Sequence, residues 1–449
     1  MKWYSHVLIG AMLMGLWATA NAALPSPLTL NQAVEHALEK NMDVLVREQY
    51  RALEEEKTRA ALMKLLPDLM INARYSHQNH ETPRFSRNAE TRAISLDPSV
   101  SSDLDQFNFS ANLGWDLLNL SINYMALNQA KWGEASEAKR LERARQDIAL
   151  KVTRAYVDAV VARDIAQRAR DIIQRAQNRQ DILDRQITMG LVSKRSGLQN
   201  AINISEMMIR LKGYDGEFNS AKLRLTELLG IKDPRTLVLA EMDLGRIHPD
   251  WDLEELEKIA LARRPELEIL DMKRKISMEE ARKASARFFP SITPYATWSY
   301  DDSSYLSESD WYVVGLKMSW DLFDLPSSDA RRRKALSQAE LDRRETLRMK
   351  LGIMTQLRLA LVNYKDLKIR LGDVDRLVSL RQRLMETVEK QVKQGKLEES
   401  LLLSADQDYL LARKLQLKTM ADLWVGEARI YNTAGLVWTP NNTQLIRKN

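Results

Sequence analysis

Leu30 to Ser76 reads LNQAVEHALEKNMDVLVREQYRALEEEKTRAALMKLLPDLMINARYS, and 223 residues further on Leu253 to Ser299 reads LEELEKIALARRPELEILDMKRKISMEEARKASARFFPSITPYATWS. The two stretches align without a gap. Ala37 meets Ala260, Glu56 meets Glu279, Ala61 meets Ala284, Pro67 meets Pro290, Ala73 meets Ala296 and Tyr75 meets Trp298. Beyond Ser76 the offset becomes 205. Trp115-Asp116-Leu117 then meets Trp320-Asp321-Leu322, Gln186 meets Gln391, Gly190 meets Gly395, and Leu229-Gly230 lies over Ala434-Gly435. The first copy therefore carries 18 extra residues between Ser76 and Trp115. Insertions collect in exposed loops, and the polar stretch from Arg84 to Ser102 has that character. The period is too long for a solenoid of small repeats. It predicts two equivalent halves, residues 23–245 and 246–435, followed by a short C-terminal tail, 436–449.

Proline placement marks the elements within each half. No proline falls between Ser99 and Asp233, or between Ser327 and Thr439, and proline is excluded from helix interiors. Leu141, Ala144, Ile148, Val152, Ala155 and Ala159 recur at helical steps, with Arg, Glu and Gln on the other faces. The spacing predicts a helix over Ser121–Met189, on the order of 100 Å long at 1.5 Å per residue, with a shorter mate over Ser193–Leu229. The second half repeats this as Ser327–Gln394 and Glu398–Ala434. Gly190 and Gly395 break the two hairpins where the chain must reverse.

Between the helices lie period-2 stretches. Phe107, Phe109, Ala111, Leu113 and Trp115 alternate with polar residues within 106–117. Leu69, Ile71, Ala73 and Tyr75 do so within 69–76. Strands near 291–300 and 311–323 read the same way, with Val314, Leu316, Met318 and Trp320 on one face. Such alternation predicts a sheet with unlike faces. Two readings of it stand: a soluble β-core, or a transmembrane barrel with an apolar outer face and aromatic girdles. Tyr75, Phe107, Phe109, Trp115, Trp298, Trp311 and Trp320 are the candidate girdle aromatics. Four strands cannot close a barrel alone, because edges are forbidden in lipid, so a barrel requires several copies.

The first residues point the same way. Lys2 precedes an apolar run from Val7 to Ala18, and Ala20-Asn21-Ala22 forms a small-x-small cleavage site. Residues 1–22 are expected to be a signal peptide. No other stretch approaches the ~20 apolar residues of a transmembrane helix. The net charge of +6 is small against 67 basic and 61 acidic residues, which interleave along the helices, as solvated helix faces do and nucleic-acid surfaces do not. The chain has no cysteine, which excludes disulfides, thiolate metal sites and lipidation at cysteine. His77 and His80 with Glu81 sit in an expected loop and are read as solvated rather than metal-binding. There is no phosphate loop, nucleophile motif or cofactor motif, so no enzyme activity is expected.

With these features in place, the chain from about residue 23 onward resembles the TolC-like outer-membrane efflux family. The resemblance rests on the tandem α-β-β-α repeat and on the opening Leu28-Thr29-Leu30, Ala33, Ala37, Asn41. It rests also on Leu66-Pro67 and Phe289-Pro290 before the strands, Ala155-Tyr156 in the long helix, and the turn Gly190-Leu191-Val192-Ser193. It implies a mainly α fold with a membrane β-barrel portion, three copies sharing a 12-stranded barrel and an α-barrel. It implies a passive exit duct working with a periplasmic adaptor and an inner-membrane pump. It implies that the hairpin tips, Gly190, Leu191, Val192 and Ser193 with Gly395, Lys396 and Leu397, dock the adaptor; the alternative is that they are only turns. The periplasmic entrance is expected at Arg195 and Ser196 facing Leu401 and Ser404. Aspartates are missing there, and Glu398 and Glu399 are the available acids. The alternative function is a periplasmic helical scaffold or adaptor that never enters the outer membrane.

Overall fold

The computed structural model describes residues 26–438, apart from Ser86, Ser101 and 246–248. The expected signal peptide, most of the C-terminal tail and His248 lie outside the described residues. The helices are α1 (Leu30–Lys40), α2 (Met42–Met63), α3 (Leu117–Thr188), α4 (Lys194–Leu229), α5 (Leu253–Arg263), α6 (Pro265–Ala286), α7 (Leu325–Lys393) and α8 (Glu399–Thr433). The strands are β1 (Asp68–His77), β2 (Asp105–Gly114), β3 (Ser291–Asp301) and β4 (Asp310–Ser319). Two compact units result. One holds the chain up to Leu45, Arg145–Ala260 and the chain from Gln356 onward; the other holds Val46–Ala144 and Leu261–Thr355. Each unit draws on both repeats, because matching elements of the two repeats pack and pair with each other.

The sheet belongs to the second unit. It is antiparallel in the order β1-β2-β3-β4, and β2 of the first repeat pairs with β3 of the second. Register decides the faces. Leu69 pairs with Leu113, Ile71 with Ala111, Ala73 with Phe109 and Tyr75 with Phe107. Phe109 meets Tyr300, and Ala111 meets Trp298. Trp298 meets Tyr312, Ala296 meets Val314, and Ile292 meets Met318. One face is thus apolar along most of its length, with His77, Asp105 and Asp310 at its loop end, and cross-strand aromatic contacts tie it together: Phe109 and Trp298 lie edge to face at 5.6 Å. The other face carries Asn72, Ser110, Asn112 and Thr297, joined by hydrogen bonds from the Thr297 hydroxyl to Asn112 Oδ1 at 2.9 Å and from Asn112 Nδ2 to Ser110 Oγ at 3.1 Å.

Two strands end sooner than alternation suggested. β2 stops at Gly114 and β4 at Ser319, so Trp115 and Trp320 stand just beyond the sheet. The cause is local capping. Asp116 accepts from the Asn119 N–H at 3.0 Å, and Asp321 from the N–H groups of Phe323 and Asp324 at 3.1 Å each, so the chain turns helical there. Trp311 pairs with Ser299 and lies on the polar face, not among the girdle aromatics. The inserted loop of the first repeat is itself a small hairpin, with bridges between Arg84 and Ser99 and between Arg87 and Ile94.

In the same unit the long helix of each repeat buries one acid at the equivalent position, Glu137 on α3 and Asp342 on α7. Arg140 holds Glu137 at 2.6 Å. Asp342 accepts from Ser277 Oγ at 2.6 Å and Gln338 Nε2 at 3.0 Å, and pairs with Lys273 at 3.2 Å. A buried carboxylate is tolerated only with such partners.

In the first unit the opening motif anchors α1. Thr29 and Gln32 form a reciprocal capping box. The Leu28 carbonyl accepts from the Tyr156 hydroxyl at 2.8 Å, and its N–H donates to Val238 at 2.8 Å. Ala33, Val34 and Ala37 are fully buried, and Asn41 donates to the Leu228 carbonyl at the end of α4. Along α3, Ile148, Val152, Tyr156 and Ala159 form the apolar stripe that packs this core.

Candidate functional site: the hairpin tips

The two hairpins close with the same turn. Gly190 has φ +72° and Gly395 φ +70°, a backbone conformation that a Cβ makes strained. At the first tip Leu191 N–H donates to the Gln186 carbonyl and Gly190 N–H to that of Ile187. At the second, Lys396 donates to Gln391 and Gly395 to Val392. These are paired Schellman bonds, and they satisfy the last carbonyls of α3 and α7. Val192 and Leu397, equivalent under the repeat, are half-buried, while Leu191 and Lys396 are exposed. Geometry is therefore shared between the tips and chemistry is not: one presents leucine to solvent, the other a lysine.

At the first tip the two helices approach closely. A Cβ built on Gly197 would stand 2.5 Å from Ile187 Cγ1, so glycine there lets α4 approach α3. The equivalent residue in the second repeat is Leu402. Ser193 caps α4 by accepting from the Ser196 N–H at 3.3 Å. Glu398 occupies the corresponding place before α8 and makes no side-chain cap.

Among the expected entrance residues, Leu401 and Ser404 line one groove between α4 and α8. It has a volume of about 280 Å³, and Asn200, Asn203, Met207 and Arg210 form its other wall. Arg195 and Ser196 are exposed and make no hydrogen bond or ion pair with Leu401 or Ser404 among the described residues. Glu399 pairs with Arg179 of α3 at 3.6 Å. Deeper in, Arg175 of α3 contacts Asp406 of α8 at 2.5 Å. Burial pushes the Asp406 carboxyl up, against the pull of Arg175. Sequence reading missed Gly197, Arg175, Arg179 and Asp406. Gly197 had a signal, a glycine inside a helical pattern; the ion pairs had none, because they join residues more than 200 apart.

α8 is the hub of these contacts. Lys414 reaches Glu217 of α4 at 2.7 Å and lies 4.3 Å over the Tyr214 ring, while Gln416 donates to Asp375 of α7 at 2.6 Å. Arg381 of α7 pairs with Asp408 at 2.7 Å. Burial likewise raises the Asp158 carboxyl on α3, opposed by Arg154 and reinforced by Asp422 of α8.

Helical hairpins joined to a four-stranded sheet with an exposed apolar face define a class of protein that needs a further partner, protein or lipid, on that face. Among the described residues no helix is long and apolar enough to cross a bilayer. The family model described as outer membrane efflux protein matches residues 33–231 and 256–436. The Campylobacter jejuni outer membrane channel CmeC superposes with a TM-score of 0.77 at 16% identity, over 90% of this chain and 85% of that one. Vibrio cholerae VceC, an outer membrane protein, gives 0.71 at 16% over 91% and 97%. The Neisseria gonorrhoeae outer membrane channel MtrE, solved in its open state, gives 0.72 at 15% over 91% and 89%. Among curated proteins none matches the chain significantly by sequence. The chain belongs to the outer membrane efflux protein family. Its place is the outer membrane, with the large helical part in the periplasm, which sets aside a scaffold that never enters that membrane. The family and the similar structures are channels rather than enzymes.

Proposed function

We propose that three copies close their sheets into one 12-stranded barrel and their helices into an α-barrel, forming a passive exit duct of a tripartite export system. The observation that carries this is the sheet itself: four strands, free edges at β1 and β4, and an apolar face on which Leu69, Val314 and Leu316 are 66%, 74% and 78% exposed. In lipid every strand edge must be paired, and single-chain barrels begin at about eight strands. Pairing with further copies satisfies the backbone and puts the apolar face toward outer-membrane lipid. Phe107, Phe109, Tyr75 and Trp298 then face lipid, and Trp115 and Trp320 stand at the helix-side border. The duct does no chemistry, and energy comes from an inner-membrane pump.

The tips are the docking place for a periplasmic adaptor, with Gly190 and Gly395 setting the turn. Leu191 and Val192 present an apolar contact beside the capping Ser193; Lys396, with Leu397, presents a cationic one. The entrance is narrowed around Leu401 and Ser404, with Arg195, Ser196, Glu398 and Glu399 at its rim. Native mass of the protein extracted from outer membranes in mild detergent, together with planar-bilayer recording, tests the reading. A mass of three chains with stepwise conductance is expected. A monomer or dimer without conductance refutes the duct.

A further inference from the structure

The duplication specifies how neighbouring copies join. The hairpin registers of the two repeats are identical: moving β1 by 223 residues and β2 by 205 turns the pair Leu69–Leu113 into Ile292–Met318, the pair observed. The β2–β3 joint between the repeats is therefore a template for a β4–β1 joint between copies. Under the same shifts Ser110–Ser299 becomes Gly315 opposite Ser76, Ala111–Trp298 becomes Leu316 opposite Tyr75, and Asn112–Thr297 becomes Lys317 opposite Arg74. Faces are preserved: Leu316 and Tyr75 are both apolar-face residues, and Lys317 and Arg74 both lie on the polar face.

We propose that β4 of one copy pairs with β1 of the next with Lys317 directly opposite Arg74, and that each joint thereby holds a dibasic site for anions on the polar face. The inference rests on the barrel reading. Both residues are exposed, and neither side chain makes a hydrogen bond or ion pair among the described residues. Directly opposed like charges repel unless an anion lies between them. The nearest carboxylate on that face, Asp301, stands two strands across in the Arg74–Asn108–Asp301 row. Its oxygens already accept from Asn108 Nδ2 at 2.6 Å and Ser303 N–H at 3.0 Å. Asp68, also on the polar face, lies six residues along β1, about 20 Å away at 3.3 Å per residue. Small inorganic or carboxylate anions in the barrel interior are the ligand class.

The cysteine-free chain makes the register directly measurable. Lys317→Cys with Arg74→Cys, and Leu316→Cys with Tyr75→Cys, are tested in the membrane-inserted protein. Adjacent antiparallel pairs alternate in hydrogen bonding, so one of the two has the closer geometry. Disulfide-linked oligomers are expected for these pairs and not for Lys317→Cys with Asn72→Cys or with Ser76→Cys, the two-residue slips. Then, in a KCl gradient, Lys317→Gln with Arg74→Gln lowers the chloride-to-potassium permeability ratio about twofold or more, as removal of a focused positive field requires. Crosslinking at a slipped pair, or an unchanged ratio, overturns the proposal while leaving a conducting trimer intact. A monomer without conductance fails the barrel reading instead.

Discussion

Removing Arg175 tests how the tip region holds its buried acid. The Asp406 side chain is 8% exposed and that of Arg175 48%. The pair is unequal: losing the arginine strands a buried carboxylate, whereas losing the carboxylate leaves an arginine that water can solvate. Breaking a buried pair from that side costs about 3–5 kcal/mol. Protonation sets a ceiling. Neutralising a carboxyl of ordinary pKa 3.9 costs about 1.4 kcal/mol per pH unit, roughly 4 kcal/mol at pH 7 and roughly 1.5 kcal/mol at pH 5. The sign follows from linkage. The Asp406 carboxyl is raised in the folded chain, so its contribution to stability is full below its unfolded pKa and is lost as pH rises through the folded value. Arg175→Ala raises it further and steepens that loss. Hydrogen exchange of α8 amides around Leu403–Leu410 is the assay. After correction for intrinsic rates, Arg175→Ala should speed exchange roughly 100-fold at pH 7 and about 10-fold or less at pH 5. Asp406→Asn should change local stability by no more than about 1 kcal/mol at either pH. Equal effects of Arg175→Ala at both pH values, or a larger effect of Asp406→Asn, would refute the reasoning.

Two further outcomes are expected. Gly197→Ala gains about 1 kcal/mol of helix propensity but overpacks against Ile187, at about 1–3 kcal/mol. Adding Ile187→Ala should relieve the clash, so a double-mutant cycle by thermal melting should show a coupling of about 1 kcal/mol; strict additivity contradicts the close approach. Ala155→Pro should cost about 3 kcal/mol or more by breaking α3, read as loss of assembled oligomer on native gels, and normal assembly would contradict a continuous helix there.

The repeat, the helical hairpins and the alternating strands were legible in the sequence because each is a local pattern. Periodicity of 3.6 or 2, glycine where φ must be positive, and proline at the corner before each first strand need only neighbours to be read. The shortened ends of β2 and β4 were less legible, since Asp116 and Asp321 compete with the alternation by capping helices. The face of Trp311 follows from pairing with Ser299, which strand alternation suggests and register decides. The tips were legible as turns, and the docking readings at Leu191 and Lys396 came from resemblance.

By itself, the sequence determined the duplication, the helix-strand-strand-helix order and the need of the apolar strand faces for a non-aqueous partner. Only the tertiary structure decided that β2 pairs with β3, that Arg175 meets Asp406, that Gly197 seats against Ile187, and that Glu399 is bound by Arg179. Those contacts join residues far apart in the chain or across a turn whose spacing no period encodes. Charge pairs and close approaches are chosen by where packed helices bring side chains, and that is a property of the folded whole.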